Sequence, residues 1–183
     1  MIYGHELKIP KERVAVLIGK GGEMKTQLEE ATKTKLQIDS EEGDIIISGE
    51  DAIGLYSARE IIKAIGRGFN PELARQLLKP EYMFEIISMA DYAKTKNDAI
   101  RLKGRVIGEG GKSRKIIEDL TECNISVYGK TIGVIGKAEN VPIARRAIES
   151  LLQGSPHKNV YSFLEKQRRQ MRRSAFETKP AEF

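Results

Sequence analysis

The sequence predicts an α+β fold in which one small unit, strand-helix-helix-strand-strand-helix, occurs twice in tandem, each unit a three-stranded sheet packed on three helices. Three observations predict it. A glycine turn recurs 89 positions apart, as Ile18-Gly19-Lys20-Gly21-Gly22 and Ile107-Gly108-Glu109-Gly110-Gly111. Around each turn, residues alternating in polarity as in a half-buried strand give way to residues spaced three and four apart, as on one face of a helix. The match also outruns the turn. In the same frame Leu28-Glu29 falls on Ile117-Glu118, Thr32 on Thr121, Leu36 on Ile125 and Ile38 on Val127, and a slightly shorter hairpin brings Gly49 onto Gly136 and Ala58-Arg59 onto Ala144-Arg145.

Taken in order, Tyr3 to Ile9 reads as a strand, with Tyr3, His5, Leu7 and Ile9 on one side and Glu6 and Lys8 on the other, ended by Pro10. Arg13 to Ile18 makes one helical turn into the first glycines, and the helix after them turns Met24, Leu28 and Ala31 inward. Lys35 to Asp39 and Asp44 to Ser48 form a hairpin about Glu41-Glu42-Gly43, and Ala52 to Ile65 is a long amphipathic helix. Between Gly66 and Leu78, Leu73, Leu77 and Leu78 recur at helical spacing and need a surface to pack on. This stretch is therefore expected to be a structured connector that docks the two units together. Tyr82 to Met89 is the first strand of the second unit, and Val141 to Leu152 is its last helix, stopped by Gly154-Ser155-Pro156-His157. A short helix with Val160, Phe163 and Leu164 follows and frays from Ser174. The expected divisions are residues 1–68, a connector 69–80, residues 81–154, and a basic tail 155–183.

Composition narrows the function. The chain has 183 residues, and two units of about 90 each can bury a core. Its 31 bases against 26 acids, net charge +5 and pI near 9.2 suit a nucleic-acid partner. One cysteine, Cys123, and two distant histidines, His5 and His157, exclude an intramolecular disulfide and a cysteine-rich zinc site. No metal or other cofactor is expected. No apolar run approaches the ~20 residues that span a bilayer, and no signal peptide is evident, so a soluble, cytoplasmic protein without membrane contact is expected.

The second turn is the strongest candidate site. Its glycines leave the backbone bare for positive φ and for close approach by a partner, and an amphipathic helix (Ile116, Ile117, Leu120) starts directly after it. A helix N-terminus with unpaired N–H groups favours a phosphate. Arg105, Lys112, Arg114 and Lys115 flank the turn against one acid, Glu109. The predicted RNA-binding set is Arg105, Val106, Ile107, Gly108, Glu109, Gly110, Gly111, Lys112, Arg114 and Lys115. Val106, Ile107, Ile117, Ile125 and Val127 are candidates for a shallow apolar groove beside it, with Ile117 and Ile125 better read as core. The first turn offers a second candidate RNA site at Ile18, Gly19, Lys20, Gly21, Gly22 and Lys25, where the alternative is a motif kept for folding or packing. In the tail, Lys166, Arg168, Arg169, Arg172 and Arg173 carry no acid between them. RNA phosphate contact, docking to an acidic partner and a solvated extension are equal readings there. Aromatic residues lie away from both turns in sequence, so base stacking is not expected.

Each unit resembles the KH domain of the eukaryotic type (type I), whose Ile-Gly-x-x-Gly core stands at Ile18–Gly22 and Ile107–Gly111 in the order β-α-α-β-β-α. That resemblance implies a loop that clamps the backbone of about four nucleotides. A narrower resemblance rests on Gly66-Arg67-Gly68-Phe69-Asn70-Pro71-Glu72, on Lys103-Gly104-Arg105-Val106-Ile107-Gly108, and on Leu152-Gln153-Gly154-Ser155-Pro156 followed by Val160-Tyr161. These are similar to the two-KH small-subunit ribosome assembly factor of archaea and eukaryotes. The family is the partner of the Nob endonuclease in maturing the 3′ end of small-subunit ribosomal RNA. The resemblance implies single-stranded RNA near that end as ligand.

Rival readings are weaker. Gly111-Lys112-Ser113 mimics the end of a P-loop, but Val106 stands where that motif requires glycine. Glu41, Glu42 and Asp44 at the hairpin tip have no matching carboxylates in the other unit and read as solvated turn acids. No serine, histidine or cysteine constellation suggests covalent catalysis, so no enzyme activity is expected. A protein-interaction scaffold, packing on a nuclease or a translation initiation factor, is the alternative to RNA binding. An exosome-type subunit would need a separate β-barrel module for which the chain has no room.

Overall fold

The computed structural model describes residues 1–177. Its first unit runs β1 (Tyr3–Lys8), α1 (Lys11–Ile18), α2 (Glu23–Thr32), β2 (Thr34–Ile38), β3 (Asp44–Gly49) and α3 (Ala52–Gly66). A short helix, α4 (Pro71–Ala74), and a 3-10 turn over Arg75–Leu78 lead to the second unit. That unit is β4 (Tyr82–Ser88), α5 (Lys96–Ile107), α6 (Lys112–Thr121), β5 (Asn124–Tyr128), β6 (Thr131–Lys137) and α7 (Val141–Leu152), followed by α8 (His157–Glu177). Both sheets are antiparallel with the last strand central, in the orders β1-β3-β2 and β4-β6-β5. Caps explain several helix starts: Asp51 accepts from the Ile53 and Gly54 N–H groups, Asn70 from Leu73 ahead of Pro71, and Thr95 from Asp98.

The duplication extends to internal hydrogen bonds. The Glu29 carboxylate accepts from the Leu36 N–H at 2.7 Å, and Glu118 accepts from Ile125 at 2.8 Å. Buried Thr32 and Thr121 donate back to the carbonyls of Leu28 and Ile117, both at 2.7 Å. Arg13 of α1 donates to the Ile65 and Phe69 carbonyls (2.8 and 2.7 Å), at the end of α3. Arg105 of α5 does the same to Leu151 and Ser155 (3.0 and 2.5 Å), at the end of α7. The carbonyls correspond in the two units, while the arginines sit about one helical turn apart.

The units are docked through one face of the second sheet. By register, Phe84, Ile86, Ser88, Ile135, Gly133, Thr131, Ser126 and Tyr128 share the face opposite α7. Phe69, Ala74 and Leu77 of the connector cover it, so Phe84 and Ile135 join the apolar core of the first unit. Phe69 meets Phe84 edge-on at 5.9 Å, and Gly133 leaves room for the Phe69 ring: a Cβ there would stand 2.7 Å from it. Polar contacts rim this core. Ser126 donates to the Arg67 carbonyl at 2.9 Å, Arg67 lies over the Tyr128 ring at 5.4 Å, and the Tyr128 hydroxyl donates to the Glu12 carboxylate. On the first sheet the corresponding face carries Glu6, Lys8, Lys35, Gln37 and Asp44 and stays exposed, with Ile46 as its apolar member.

Four expectations need correction. The helix before the first glycines is two turns, Lys11–Ile18, because Pro10 ends the strand and is itself the N-cap. Ala31 is exposed; Thr32, four residues after Leu28, takes the inward place because its hydroxyl is satisfied by Leu28 and Thr34. The tail helix is not short: α8 runs 21 residues, anchored by buried Val160 and Leu164 against α6 and α7. The expected fraying from Ser174 meets helix to Glu177, and residues 178–183 lie outside the described residues.

Candidate nucleic-acid interface

Both glycine turns have one backbone. Gly19, Gly21 and Gly22 stand at φ 74°, 62° and 78°, and Gly108, Gly110 and Gly111 at 73°, 59° and 77°. Such angles put an L-residue's Cβ against its own carbonyl, which is why glycine recurs at all three places. The three are not equivalent. A Cβ on Gly108 would stand 2.7 Å from the backbone N of Ser113, so packing of the turn against α6 also demands glycine. Nothing lies within 4 Å of a Cβ on Gly110 or Gly111. Their outer side is open to a ligand.

Helices α2 and α6 start immediately after these turns with no side-chain cap. The first N–H of each, Glu23 and Lys112, donates to the turn's own Lys20 and Glu109 carbonyls, and the positive dipole end beyond it favours an anion. Charge separates the two sites. The first turn of α6 carries Lys112, Arg114 and Lys115, all exposed, and no acid; Glu109 precedes it. The first turn of α2 carries Glu23 against Lys25, with Lys20 preceding. Arg114 has a loose 4.0 Å pairing to Glu118, which leaves its guanidinium largely free.

The predicted set is only partly brought together. Gly108 to Gly111, Lys112, Arg114 and Lys115 form one surface. Ile107 and Val127 are half-buried, as a shallow groove requires, while Val106, Ile117 and Ile125 are core. Arg105 does not join the phosphate-facing cations: both ends of its guanidinium are committed to the Leu151 and Ser155 carbonyls. Arg168, Arg169 and Arg172 lie by Leu120 and Glu165, with Leu120 eight residues and so about 12 Å along α6 from Lys112. Arg173 is exposed one position further. Tail and turn are separate features.

An aromatic does stand near the second turn, contrary to the sequence reading. Arg101, Arg105, Lys112, Ser113, His157 and Tyr161 line a cleft of about 380 Å³ behind Gly108 and Glu109. The His157 ring donates to the Arg105 carbonyl at 2.8 Å, and its neighbour Tyr161 stands edge-on 5.9 Å away. Ser113 is buried with its hydroxyl unpartnered. In the first unit Pro71, Glu72 and Arg75 occupy the equivalent place behind Gly19 and Lys20. The signal was in the sequence: Gly68 and Gly154, both at positive φ, lie 86 positions apart, as do Ala58 and Ala144, so the repeat continues past its last helix.

The remaining candidates have ordinary roles. Glu42 and Asp44 pair with Lys8 and Lys11 at 3.4 to 3.8 Å on the surface. Burial pushes the Cys123 thiol up to about 11, beyond reactive range. Among the described residues no group of three His, Cys, Asp or Glu is placed to hold a metal, and no helix is long and apolar enough to cross a membrane.

Comparison with known proteins bears on this surface. A family model described as the eukaryotic type KH-domain (KH-domain type I) matches residues 83–169, and a KH domain model matches residues 4–64. A KH domain-containing protein of Methanocaldococcus jannaschii is 49% identical over 175 residues, which cover 93% of this chain and 77% of that one. The RNA-binding protein PNO1 of Oryzias latipes is 34% identical over 114 residues, 61% of this chain and 47% of that protein; the chain thus spans about half the length of that relative. Among solved structures, a chain of the a/eIF2alpha-aDim2p-rRNA complex from Pyrococcus horikoshii superposes with a TM-score of 0.87 at 44% identity, covering 92% of this chain and 96% of that one.

Proposed function

The chain belongs to the KH-domain RNA-binding family of PNO1 and Dim2p, and from that membership we propose that it is a non-catalytic small-subunit ribosome assembly factor that binds single-stranded RNA through the second glycine turn. The observation that carries this reading is the pairing of three left-handed glycines with an uncapped helix N-terminus whose first turn holds Lys112, Arg114 and Lys115 and no acid. The N–H groups and these cations fix phosphates; the groove bounded by Ile107 and Val127 receives about four unstacked bases. The RNA we assign is the 3′ end of small-subunit rRNA, in the cytoplasm. The P. horikoshii complex, which contains rRNA and a/eIF2alpha, supports an rRNA ligand and a translation initiation factor as partner. The Nob endonuclease is the expected processing partner.

The first unit has the same backbone turn with a balanced charge and the connector packed behind it. That favours a docking role there. The test is binding of short single-stranded RNAs matching the rRNA 3′ end by the intact protein and by two variants, Glu109→Asp/Gly110→Asp and Lys20→Asp/Gly21→Asp. Loss in the first variant alone, with folding intact, is the expected result. Undiminished binding in both would remove the glycine turns from the mechanism and leave the scaffold reading.

A further inference from the structure

The second half of α8 is a helix with no core to lie on. The helix has 21 residues, about 31 Å, and its buried residues, Val160 and Leu164, both belong to its first half. From Glu165 to Glu177 every side chain is exposed or half-buried. This stretch carries Lys166, Arg168, Arg169, Arg172 and Arg173, with no acid between the first and the last. Arg168 and Arg172 are four residues apart, as are Arg169 and Arg173, so like charges neighbour each other along the helix and destabilise it in isolation. Among the described residues none of the five is ion-paired, although Glu165 lines the same cleft as Arg168, Arg169 and Arg172. A stretch this polar, unpacked and self-repelling is stabilised when an anion lies on it.

Packing fixes where these arginines stand. Lys112 and Ser113 of α6 share a cleft with His157 and Tyr161 of α8, and Leu120 shares another with Glu165, Arg168, Arg169 and Arg172. The two helices therefore run side by side in the same direction, with the glycine turn at one end of the pair and the arginines about 12 Å further on. An RNA held at the turn has its flanking segment within reach of them. The chemistry then selects the kind of segment. A protein interface centres on desolvated apolar anchors, and between Lys166 and Arg173 the one apolar residue is half-buried Met171. A single strand is held by stacking on aromatic rings, and no aromatic lies between Lys166 and Arg173. What the helix offers is guanidinium groups on a convex surface, which suit bidentate contact with phosphates. A duplex presents phosphates outward with its bases paired, and double-helical RNA is recognised by shape and backbone contacts of this kind.

We propose that α8 from Lys166 to Arg173 is a second RNA site, separate from the groove, that grips the phosphates of a double-helical segment flanking the single strand without reading its sequence. The proposal rests on the reading that the chain binds RNA, and not on which turn clamps the strand. It is tested on the full chain with three RNAs: the single strand of the rRNA 3′ end, a hairpin stem of unrelated sequence, and the two joined. The joined RNA should bind the wild type about tenfold more tightly than the strand, and its log K against log salt should be steeper by about 0.9 for each stem phosphate contacted. Arg169→Gln/Arg172→Gln/Arg173→Gln, at exposed positions and with a good helix former, should bind the strand as the wild type does and lose the gain from the stem. Lys8→Gln/Lys33→Gln/Lys35→Gln removes the same charge from exposed positions of the first unit and should keep the gain. A gain that survives in the arginine variant would overturn the proposal and leave docking to an acidic protein as the role of the tail. No gain in the wild type, a gain lost equally in the lysine variant, or equal loss for strand and joined RNA in the arginine variant would also overturn it. Failure of the single strand to bind, with the stem still held through the arginines, would remove the clamp and uphold this site; failure of all three RNAs would remove both.

Discussion

Replacing Phe69 with alanine should reveal how far the two units depend on each other. Phe69 is 2% exposed and belongs to the connector, yet its ring contacts Phe84 of β4 and lies over Gly133 of β6. Truncating a buried phenylalanine costs about 3–5 kcal/mol, and the edge-on pairing with Phe84 accounts for roughly 0.5–1.5 kcal/mol of such a loss. No neighbour can collapse into the space cheaply, because Gly133 has no side chain and Phe84 is held in its strand by pairing to Ile135. With a urea slope of about 2–3 kcal/mol/M, the unfolding midpoint should fall by roughly 1–2.5 M. Chemical denaturation followed by circular dichroism measures this. Ile46→Ala provides the comparison, since Ile46 is on the corresponding face of the first sheet but 41% exposed; its cost should stay under about 1 kcal/mol. If Phe69→Ala shifts the midpoint no more than Ile46→Ala does, the interface is not a continuous core and the docking argument fails.

Other outcomes follow from single contacts. Gly108→Ala should cost about 3 kcal/mol or more, because it adds left-handed strain to a 2.7 Å clash with the Ser113 backbone, whereas Gly110→Ala, in open space at φ 59°, should cost only about 1–2 kcal/mol; thermal melts of both decide. Arg105→Ala should destabilise by about 2–3 kcal/mol through two lost charge-assisted hydrogen bonds, the Leu151 carbonyl keeping its bond from the Gly154 N–H, yet leave RNA affinity of the folded protein within about twofold, and an equal loss of affinity and stability would restore Arg105 to the site. The Tyr128 hydroxyl bond holds the Glu12 carboxyl below its ordinary value of 4.5 and raises the Tyr128 phenol above 10. Its contribution should therefore be complete between those values, lost as pH falls through the lowered Glu12 pKa, and lost again as pH rises through the raised Tyr128 pKa. Urea midpoints of Tyr128→Phe and wild type should differ at neutral pH and converge at low pH; a constant difference would sever this link.

The sequence by itself determined the repeated unit, the two glycine turns and the helix that follows each, because these depend on local causes. Positive φ selects glycine, alternation selects a strand, and spacing of three and four selects a helix face. It also determined that the connector packs, since leucines at helical spacing require a partner. The tertiary structure decided which charges remain free. Arg105 looked like a phosphate ligand from its neighbours in sequence, but the ends of α7 and the chain after it bring two carbonyls to its guanidinium from 46 and 50 residues away. Val106 likewise went to the core, where it is fully buried among the apolar residues of the second unit. The same long-range packing placed His157 and Tyr161 behind the second turn and gathered Lys94 and Lys130, 36 positions apart, on one cleft. Sequence spacing fixes the direction of a side chain relative to its own helix or strand; what it meets there depends on how the elements close on one another.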